Sequence, residues 1–369
     1  MALKLLVYAC VLFGALSAAV VRLHPLAEAG PGVAPATVVL RHGELSRRLR
    51  GDWEPPQALL ISYNDIWRDA LSEIVRATDV QTTVFVLARQ NDSANLESWR
   101  GEFPNRVHVL EWPIQSDWVR DYGPIQVADE QGKAIWLDAD YRSGRTEDDL
   151  IPLRLGRMAA VPVQSLARRL DGGALVSNGT GLCAITRHNL LEANGAEAQP
   201  HGLMDQLGCE ALAILPELKG EPTGHADVFV HFFAPDVVGV ASVAPEESAE
   251  NAGRMDVAAA ILEQAADSLG IDLRVIRVPM PRRDSSVYYS YLNSVDLRDK
   301  VLVPHFDGVA PSIEAAAHAA IRAASNRKIV PIDASEMVTS GGALHCLVLG
   351  LFLDRARHLF SGAASRNAG

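Results

Sequence analysis

The sequence predicts an α/β fold in one domain, and three features indicate it. Runs of β-branched and aromatic residues alternate with amphipathic helical patterns over most of the 369 residues. No linker or composition break splits this alternating region. The tetrapeptide GGAL occurs at residues 172–175 and again at 341–344, which is compatible with repeated strand-helix units. Alternation without interruption is typical of a single α/β domain.

The N-terminal residues 1–21 are predicted to be a targeting segment. Lys4 precedes an apolar run over 5–21 that ends in small residues at 17–19, as in a secretory signal. We therefore expect a secreted or periplasmic protein. An uncleaved membrane anchor and a lipoprotein signal at Cys10 stay open as alternatives. Residues 22–55 are interpreted as a connector and the start of the domain, and 56–362 as the single domain.

The elements follow in order. Strands are predicted over 58–62, 83–87, 107–110 and 273–278, and helices over 65–78, 247–269 and 313–325. A further strand is predicted over 224–232, which is rich in β-branched and aromatic residues. The net charge of −11 disfavours nucleic acid as a partner and tolerates a cationic substrate.

Cysteine use leaves one thiol to explain. Without the targeting segment the chain keeps Cys183, Cys209 and Cys346, an odd number. Cys183 and Cys209 either pair or are separate buried apolar groups, and the second interpretation is favoured because disulfide frameworks belong to smaller, cysteine-rich chains. Cys346 follows a diglycine and is a candidate nucleophile.

His225 and Asp227 are predicted to act together. On a strand, residues two apart face the same side, so these side chains would project into one site. The same rule would turn His345 away from its neighbour Cys346. His225 is therefore the predicted base for the thiol, and His345 is interpreted as structural.

The segment 117–124, DWVRDYGP, is dense in groups that bind planar cations. A carboxylate accepts two hydrogen bonds from a guanidinium, and an indole face can stack on it. The alternative is an internal ion pair of Arg120 with Asp117 or Asp121 at a turn.

Six sequence blocks cover most of the chain after the targeting segment: WVRDYGP at 118–124, DGG at 171–173, GHAD at 224–227, YLN at 291–293, VLVP at 301–304 and GGALHC at 341–346. Taken together, and in this order, they resemble the agmatine deiminase and bacterial peptidylarginine deiminase family. The resemblance implies the pentein-like fold of guanidine-modifying enzymes, a five-fold pseudo-symmetric α/β propeller. It also implies that Cys346 is the nucleophile, His225 the general acid/base, and Asp121 and Asp227 the carboxylates that hold the guanidinium.

The resemblance implies a hydrolase that acts on the C–N bonds of amidines through a covalent thiouronium intermediate on Cys346. Such chemistry needs no cofactor and no metal, and the sequence has no CxxC or HExxH pattern. The catalytic residues are thus Cys346, His225, Asp121 and Asp227. Trp118 joins the two aspartates in binding the substrate.

The identity of the guanidine substrate is the part of the function that the sequence determines least. Family members specific for agmatine carry a Trp-Gly-Gly segment where this chain has Arg142 and Arg145, and two cations would repel the amine of agmatine. In the similar peptidylarginine deiminases, arginines near this place receive a C-terminal carboxylate. We therefore expect a small guanidine or a C-terminal arginine peptide as the partner, with a citrulline-type product.

Three alternatives stay open. Arg142 and Arg145 could instead pair with the acidic residues at 147–149. The protein could be an agmatine deiminase, which makes N-carbamoylputrescine for putrescine biosynthesis, or an inactive guanidine-binding module. A membrane is expected as a partner only if the N-terminal segment stays uncleaved.

Overall fold

Strands and helices alternate along the chain, as the sequence predicts. The structure is a computed structural model that describes residues 37–41, 43–89, 92–141, 144–191, 200–282 and 287–353. The predicted targeting segment at 1–21 lies outside the described residues. None of the described helices has the length and apolar character that crossing a membrane requires.

The strands of the described residues are, in chain order, β1 Thr37–Leu40, β2 Arg47–Leu49, β3 Ala58–Ser62, β4 Thr83–Leu87, β5 Val107–Leu110, β6 Ile125–Asp129, β7 Ala134–Asp140, β8 Val163–Arg169, β9 Leu175–Ser177, β10 Leu182–Thr186, β11 Ala211–Leu215, β12 Val230–Ala234, β13 Val237–Ser242, β14 Arg274–Pro279, β15 Val295–Asp296, β16 Lys300–His305, β17 Lys328–Asp333 and β18 Val348–Leu351. The helices are α1 Arg68–Ala77, α2 Ser93–Gly101, α3 Val119–Tyr122, α4 Thr146–Asp149, α5 Ile151–Ala159, α6 Arg187–Leu191, α7 Pro200–Leu207, α8 Pro245–Asp267, α9 Pro311–Ser325 and α10 Leu344–Leu347.

These strands form five sheets with one recurring unit. The orders are β1-β11-β10-β9, β2-β6-β7-β8, β18-β3-β4-β5, β12-β13-β14 and β15-β16-β17. Each sheet contains an antiparallel pair next to a parallel pair, for example in β12-β13-β14 and β18-β3-β4. Helices connect the parallel strands, as between β16 and β17. The α/β class is confirmed, whereas closure of the five sheets into a propeller stays a prediction.

The local sequence explains why these elements form. β3 and β4 are buried on both faces, which is why they are continuous apolar runs, as expected of parallel strands under helices. Helix α9 begins with Pro311 in its first turn and ends at Asn326 in the left-handed conformation, φ 52°. Apolar side chains from the sheets and helices form one large buried cluster and two smaller ones.

One sequence prediction about the backbone is wrong, and the repeated tetrapeptide does not mark two equivalent local structures. The segment 224–232 is a strand only from Val230, because residues Ala226–Val228 form a 3₁₀ turn. The two GGAL tetrapeptides differ in structure: the first forms a 3₁₀ turn leading into β9, whereas the second has Gly341 at φ 95° before helix α10. The repetition in this fold therefore lies in the strand pairing and not in those four letters.

The favoured interpretation of Cys183 and Cys209 as separate buried groups is also wrong. Both are buried, and they form a disulfide bond across a sequence separation of 26 residues. Cys183 lies on β10 and Cys209 just before the neighbouring parallel strand β11, which brings the two Cα atoms to 5.8 Å. Cys346 is then the free cysteine of the described chain.

The strands at the N-terminal side belong to the same sheets as the rest. Residues of β1 pair with β11, and residues of β2 pair with β6. The predicted division of the chain at residues 21, 55 and 362 stays a prediction, since residues 1–36 and 354–369 lie outside the described part.

Candidate active site

Three of the predicted catalytic groups converge above one glycine. A Cβ atom added to Gly173 would lie 2.7 Å from His225 Nδ1, 2.8 Å from Asp121 Oδ1 and 3.0 Å from Asp227 Oδ2. The backbone of the DGG segment thus passes directly beneath the site, where no side chain fits. A pocket of about 430 Å³ opens at this place and is also lined by Cys346.

Short helical turns, rather than strands, present these side chains. Asp121 lies on α3, His225 directly precedes the 3₁₀ turn Ala226–Val228, and Cys346 lies on α10. The prediction that His225 and Asp227 face one site is correct in outcome, but the strand geometry from which it was argued is wrong. The strand argument for His345 and Cys346 is wrong for the same reason.

His225 lies between two carboxylates. Its Nδ1 is 3.5 Å from Asp121 Oδ1, and its Nε2 is 3.3 Å from Asp171 Oδ2. Burial by itself would lower the pKa of His225, but Asp121, the hydrogen bond with Asp171 and the charge of Asp227 outweigh it and raise the pKa to about 9. At neutral pH the buried ring is therefore an imidazolium that can donate a proton.

Cys346 is a neutral thiol in the substrate-free protein. Burial, together with the negative charges of Asp227 and Asp121, raises the pKa of this thiol well above its ordinary value. Asn293 orients the segment: its Nδ2 donates to Cys346 Sγ at 3.4 Å, and its Oδ1 accepts from the backbone N–H of His345 at 3.0 Å. A nearby cation would favour the thiolate.

The Asp227 carboxylate is hydrogen-bonded to His345, a residue that the sequence analysis interprets as structural. His345 Nδ1 lies 2.7 Å from Asp227 Oδ2. Burial and the charge of Arg120 lower the pKa of His345 to about 4, so the neutral ring donates its Nδ1 hydrogen to the carboxylate. Asp227 Oδ1 is buried and has no hydrogen-bond partner among the described residues. This oxygen is therefore a buried acceptor that the described residues leave unsatisfied.

Among the described ion pairs, none joins Arg120 to Asp117 or Asp121, which is the alternative interpretation of this segment. Arg120 Nη2 donates to the carbonyl oxygen of Leu175 at 3.3 Å, and the charge of this side chain acts on Asp227 and His345 from within the protein. Asp117 pairs instead with Arg89, at 2.8 Å.

Trp118 lines the pocket, as predicted for a substrate-binding residue. Its ring stacks on Trp67 with centroids 5.2 Å apart, and a Cβ at Gly342 would lie 2.7 Å from the indole. The second glycine of the GGALHC segment therefore lets the chain lie flat against Trp118. This contact fixes one wall of the pocket.

Arg142 lies outside the described residues, whereas Arg145 lies beside the pocket. Arg145 lines an adjoining recess that shares Trp118 and Ser340 with the pocket. Its Nη1 donates to the carbonyl oxygen of Gln115 and lies 3.8 Å from Asp148 Oδ2. Part of the alternative prediction, pairing with the acidic residues 147–149, thus holds for this arginine, although 38% of its side chain stays exposed.

Asp121, Asp171 and His225 are also near enough to one another to hold a metal ion. The histidine, however, directs one ring nitrogen to each aspartate. One cation can bind only one of the two ring nitrogens, because their lone pairs diverge, and the other nitrogen would keep its contact with an aspartate. The geometry therefore favours a carboxylate-imidazolium-carboxylate arrangement at this place.

The sequence analysis assigns no catalytic or substrate-binding role to three residues that contact the site: Asp171, Asn293 and His345. Each lies inside a segment that carried the family resemblance, DGG, YLN or GGALHC, so a signal was present. Nothing in the separate segments indicates which side chains meet.

Comparison with known proteins shows which family this chain matches. A sequence model of the Porphyromonas-type peptidyl-arginine deiminases matches residues 48–350. The chain belongs to the Porphyromonas-type peptidyl-arginine deiminase family. As a member of this deiminase family the protein is an enzyme, a hydrolase of amidine C–N bonds.

Relatives of this deiminase cover most of its length. The agmatine deiminase of Pseudomonas aeruginosa (strain LESB58) is 25% identical over 353 residues, which cover 81% of this chain and 94% of the relative. The agmatine deiminase of Pseudomonas syringae pv. syringae (strain B728a) is 27% identical over 308 residues, covering 72% and 81%. The solved agmatine deiminase of Enterococcus faecalis has a TM-score of 0.72 at 21% identity and covers 83% of this chain and 96% of its own. The deiminase described here thus has the mixed α/β pentein fold.

Proposed function

We propose that this deiminase hydrolyses a guanidinium group to a ureido group and ammonia through a covalent intermediate on Cys346. The convergence of His225, Asp121 and Asp227 above Gly173 carries the proposal, because Asp121 and His225 line the same pocket as Cys346. A thiol, a proton donor and two carboxylates are the groups that displacement of ammonia from a delocalised cation requires.

Substrate binding comes first. Asp121 and the unpaired Oδ1 of Asp227 receive the guanidinium N–H groups and fix its plane. The bound positive charge offsets the two aspartates that raise the pKa of Cys346. The thiol then loses its proton to water, and the thiolate forms at the moment when the substrate is in place.

Two proton transfers through His225 complete the reaction. The thiolate attacks the guanidinium carbon and forms the S–C bond, and the His225 imidazolium gives its proton to one nitrogen, which leaves as ammonia. The neutral imidazole next removes a proton from a water molecule, whose oxygen attacks the thiouronium carbon. The S–C bond breaks with its electron pair on sulfur, the hydroxyl hydrogen of the adduct passes to the departing thiolate, and the products are a neutral ureido group and the regenerated Cys346 thiol.

Ammonia release from agmatine, free arginine and arginine-terminated peptides tests the proposal. We expect turnover of at least one of them by the wild type, its loss in Cys346→Ser, and continued binding of a guanidine ligand by that variant. Near wild-type turnover by Cys346→Ser would contradict the mechanism. Binding without turnover of any substrate by the wild type would establish the inactive guanidine-binding module instead.

For the rest of the substrate we propose arginine with a free carboxylate, at the C-terminus of a peptide. Arg145 supports this: its cation lies in the recess beside the pocket, and its described contacts occupy only Nη1 of a group with five N–H donors. Arg142, three residues earlier in the sequence, is the second candidate for the carboxylate. The predicted export of the protein is consistent with a peptide substrate.

Agmatine is the second candidate, and Glu221 favours it. This carboxylate lines the pocket and could receive the distal amine, although it already accepts hydrogen bonds from the backbone N–H groups of Thr223 and Gly224. Replacing Arg142 and Arg145 together by Ala separates the candidates: we expect the KM for arginine-terminated peptides to rise and turnover of agmatine to be retained. A wild-type preference for agmatine of about tenfold or more in kcat/KM, roughly 1.4 kcal/mol, would contradict the carboxylate proposal.

A further inference from the structure

The side-chain amide of Asn293 is buried in the pocket wall, and its hydrogen bonds determine which end faces the nucleophile. Oδ1 accepts from the backbone N–H of His345 at 3.0 Å and from that of Cys346 at 3.4 Å. Two N–H donors require an oxygen at this end, so the NH₂ group lies at the other end, with Nδ2 3.4 Å from Cys346 Sγ. The backbone N–H of Asn293 donates to Ser290 Oγ at 3.2 Å. The amide is therefore held as an N–H donor to the sulfur.

The surroundings of this sulfur act against its ionisation. Burial and the charges of Asp227 and Asp121 raise the pKa of the Cys346 thiol, whereas hydrogen bonds from the backbone N–H of Ala343 and from Asn293 lower it. The bond from Ala343 belongs to the main chain and is present whatever the side chains are. Asn293 is the side chain of this set that favours the thiolate.

We propose that Asn293 is a further catalytic residue, whose Nδ2 N–H group stabilises negative charge on the sulfur of Cys346. The inference rests on the proposed function, in which that sulfur is first the nucleophile and later the leaving group. Negative charge is present on the sulfur when the thiolate forms and again when the S–C bond breaks. A hydrogen bond to a charged atom is stronger than one to a neutral atom, so the amide favours the thiolate over the thiol. The amide keeps its hydrogen throughout, and the proton transfers through His225 are unchanged.

A purely structural role of Asn293 would depend on its oxygen, and two substitutions separate this role from the proposed one. Asn293→Asp keeps an oxygen that can accept both backbone bonds, but it places a second carboxylate oxygen against the sulfur. The two backbone donors favour the ionised form of the new carboxyl group. Asn293→Leu is similar in size and removes both functions. A structural role predicts that Asn293→Asp is the milder change, whereas the donor role predicts that it impairs the thiolate at least as much.

Asn178 provides a matched control. It is buried, its Oδ1 accepts from the backbone N–H groups of Thr180 and Leu182, both at 2.9 Å, and its Nδ2 donates to the carbonyl oxygen of Pro235 at 2.9 Å. It does not line the active-site pocket. Asn178→Asp is thus the same change in the same hydrogen-bond pattern, with a carbonyl oxygen in place of the sulfur.

The experiment measures alkylation of substrate-free protein by iodoacetamide at about pH 9, followed on the peptide that contains Cys346. Only the thiolate reacts, so the rate reports how readily the thiol ionises. We expect Asn293→Asp to be alkylated at least about tenfold more slowly than the wild type and to have a kcat for ammonia release lower by about tenfold or more. Asn293→Leu should also be slower, and Asn178→Asp should stay within about twofold of the wild type. Calorimetry should show that a guanidine ligand still binds when Asn293→Asp is combined with Cys346→Ser, because the added carboxylate does not repel a cation.

The contrary outcomes separate this inference from the proposed function. Wild-type alkylation and kcat in Asn293→Asp would overturn the inference and leave the proposed function standing, and so would wild-type alkylation in Asn293→Leu. Equal slowing in Asn293→Asp and Asn178→Asp would also overturn it. Near wild-type turnover by Cys346→Ser would overturn the proposed function and, with it, the catalytic role of Asn293.

Discussion

The buried contact between His225 and Asp171 makes the protonation of the general acid a measurable quantity. Asp171 Oδ2 lies 3.3 Å from His225 Nε2, and this hydrogen bond is one cause of the pKa of about 9. The substitution Asp171→Asn removes the negative charge, whereas the amide oxygen of the new side chain can still accept the hydrogen bond. The imidazolium is then less stable, so the pKa of His225 falls.

The size of the shift follows from the bond that changes. A hydrogen bond to a charged group contributes about 1.5 to 3 kcal/mol and a neutral one about 0.5 to 1.5 kcal/mol, so the centres of the two ranges differ by about 1.25 kcal/mol. That difference corresponds to about one pKa unit, so we expect the pKa of His225 in the variant to be about 8. The fraction of imidazolium then falls about threefold at pH 8.5 relative to the wild type, and hardly at pH 7.

The assay is the ratio of wild-type to variant kcat/KM for ammonia release, measured from pH 6 to 10. Asp171 is not among the groups that raise the pKa of Cys346, so the ionisation of the thiol cancels in this ratio. We expect a constant ratio below about pH 7.5 that rises about tenfold above pH 9. Asp267→Asn, which removes an exposed carboxylate at the end of α8, should give a ratio independent of pH. A pH-independent or falling ratio for Asp171→Asn would refute the assignment of His225 as the proton donor.

Three further expectations concern the metal, the positioning of Asp227 and the disulfide. A chelator should leave ammonia release unchanged while a thiol alkylator abolishes it; loss on chelation that a divalent ion restores would argue for a metal mechanism. In the Cys346→Ser background, His345→Ala should weaken guanidine binding by roughly tenfold or more in calorimetry, because the hydrogen bond to the Asp227 carboxylate is lost. His345→Asn keeps an N–H donor and should weaken binding less. Equal losses of affinity in the two variants would contradict the positioning role of His345. Replacing Cys183 and Cys209 by Ala should lower the free energy of unfolding in urea by about 3.5 kcal/mol, from a closed loop of 26 residues, and an unchanged transition would show that the bond does not form.

The elements that could be predicted from sequence are those whose signal is local. Strands β3, β4 and β5 have the predicted bounds because each is a short apolar run between turns. The helices predicted over 247–269 and 313–325 correspond to α8 and α9 within about two residues, since their proline starts and apolar periodicity lie in the sequence itself.

The misjudged features depend on contacts between distant segments. The position of His345 follows from a helix of one turn that begins after Gly341, and its partner Asp227 is 118 residues away. Pairing of Cys183 with Cys209 depends on two strands becoming neighbours in a sheet. Neither relation has a periodic or compositional signature. The sequence alone therefore favours a structural role for His345 and separate burial of Cys183 and Cys209.

The position of the nucleophile after most of the described residues has a consequence for biosynthesis. Cys346 is followed directly by β18, which pairs with β3, so that Val348 lies opposite Ile61. The backbone N–H of Leu353 donates a hydrogen bond to the side-chain oxygen Oε1 of Gln57, which lies 296 positions earlier in the sequence. Closing so long a loop is a slow step in folding. A ribosome must therefore synthesise nearly the whole described chain before the thiol can reach its carboxylates, and prematurely terminated products would be devoid of activity.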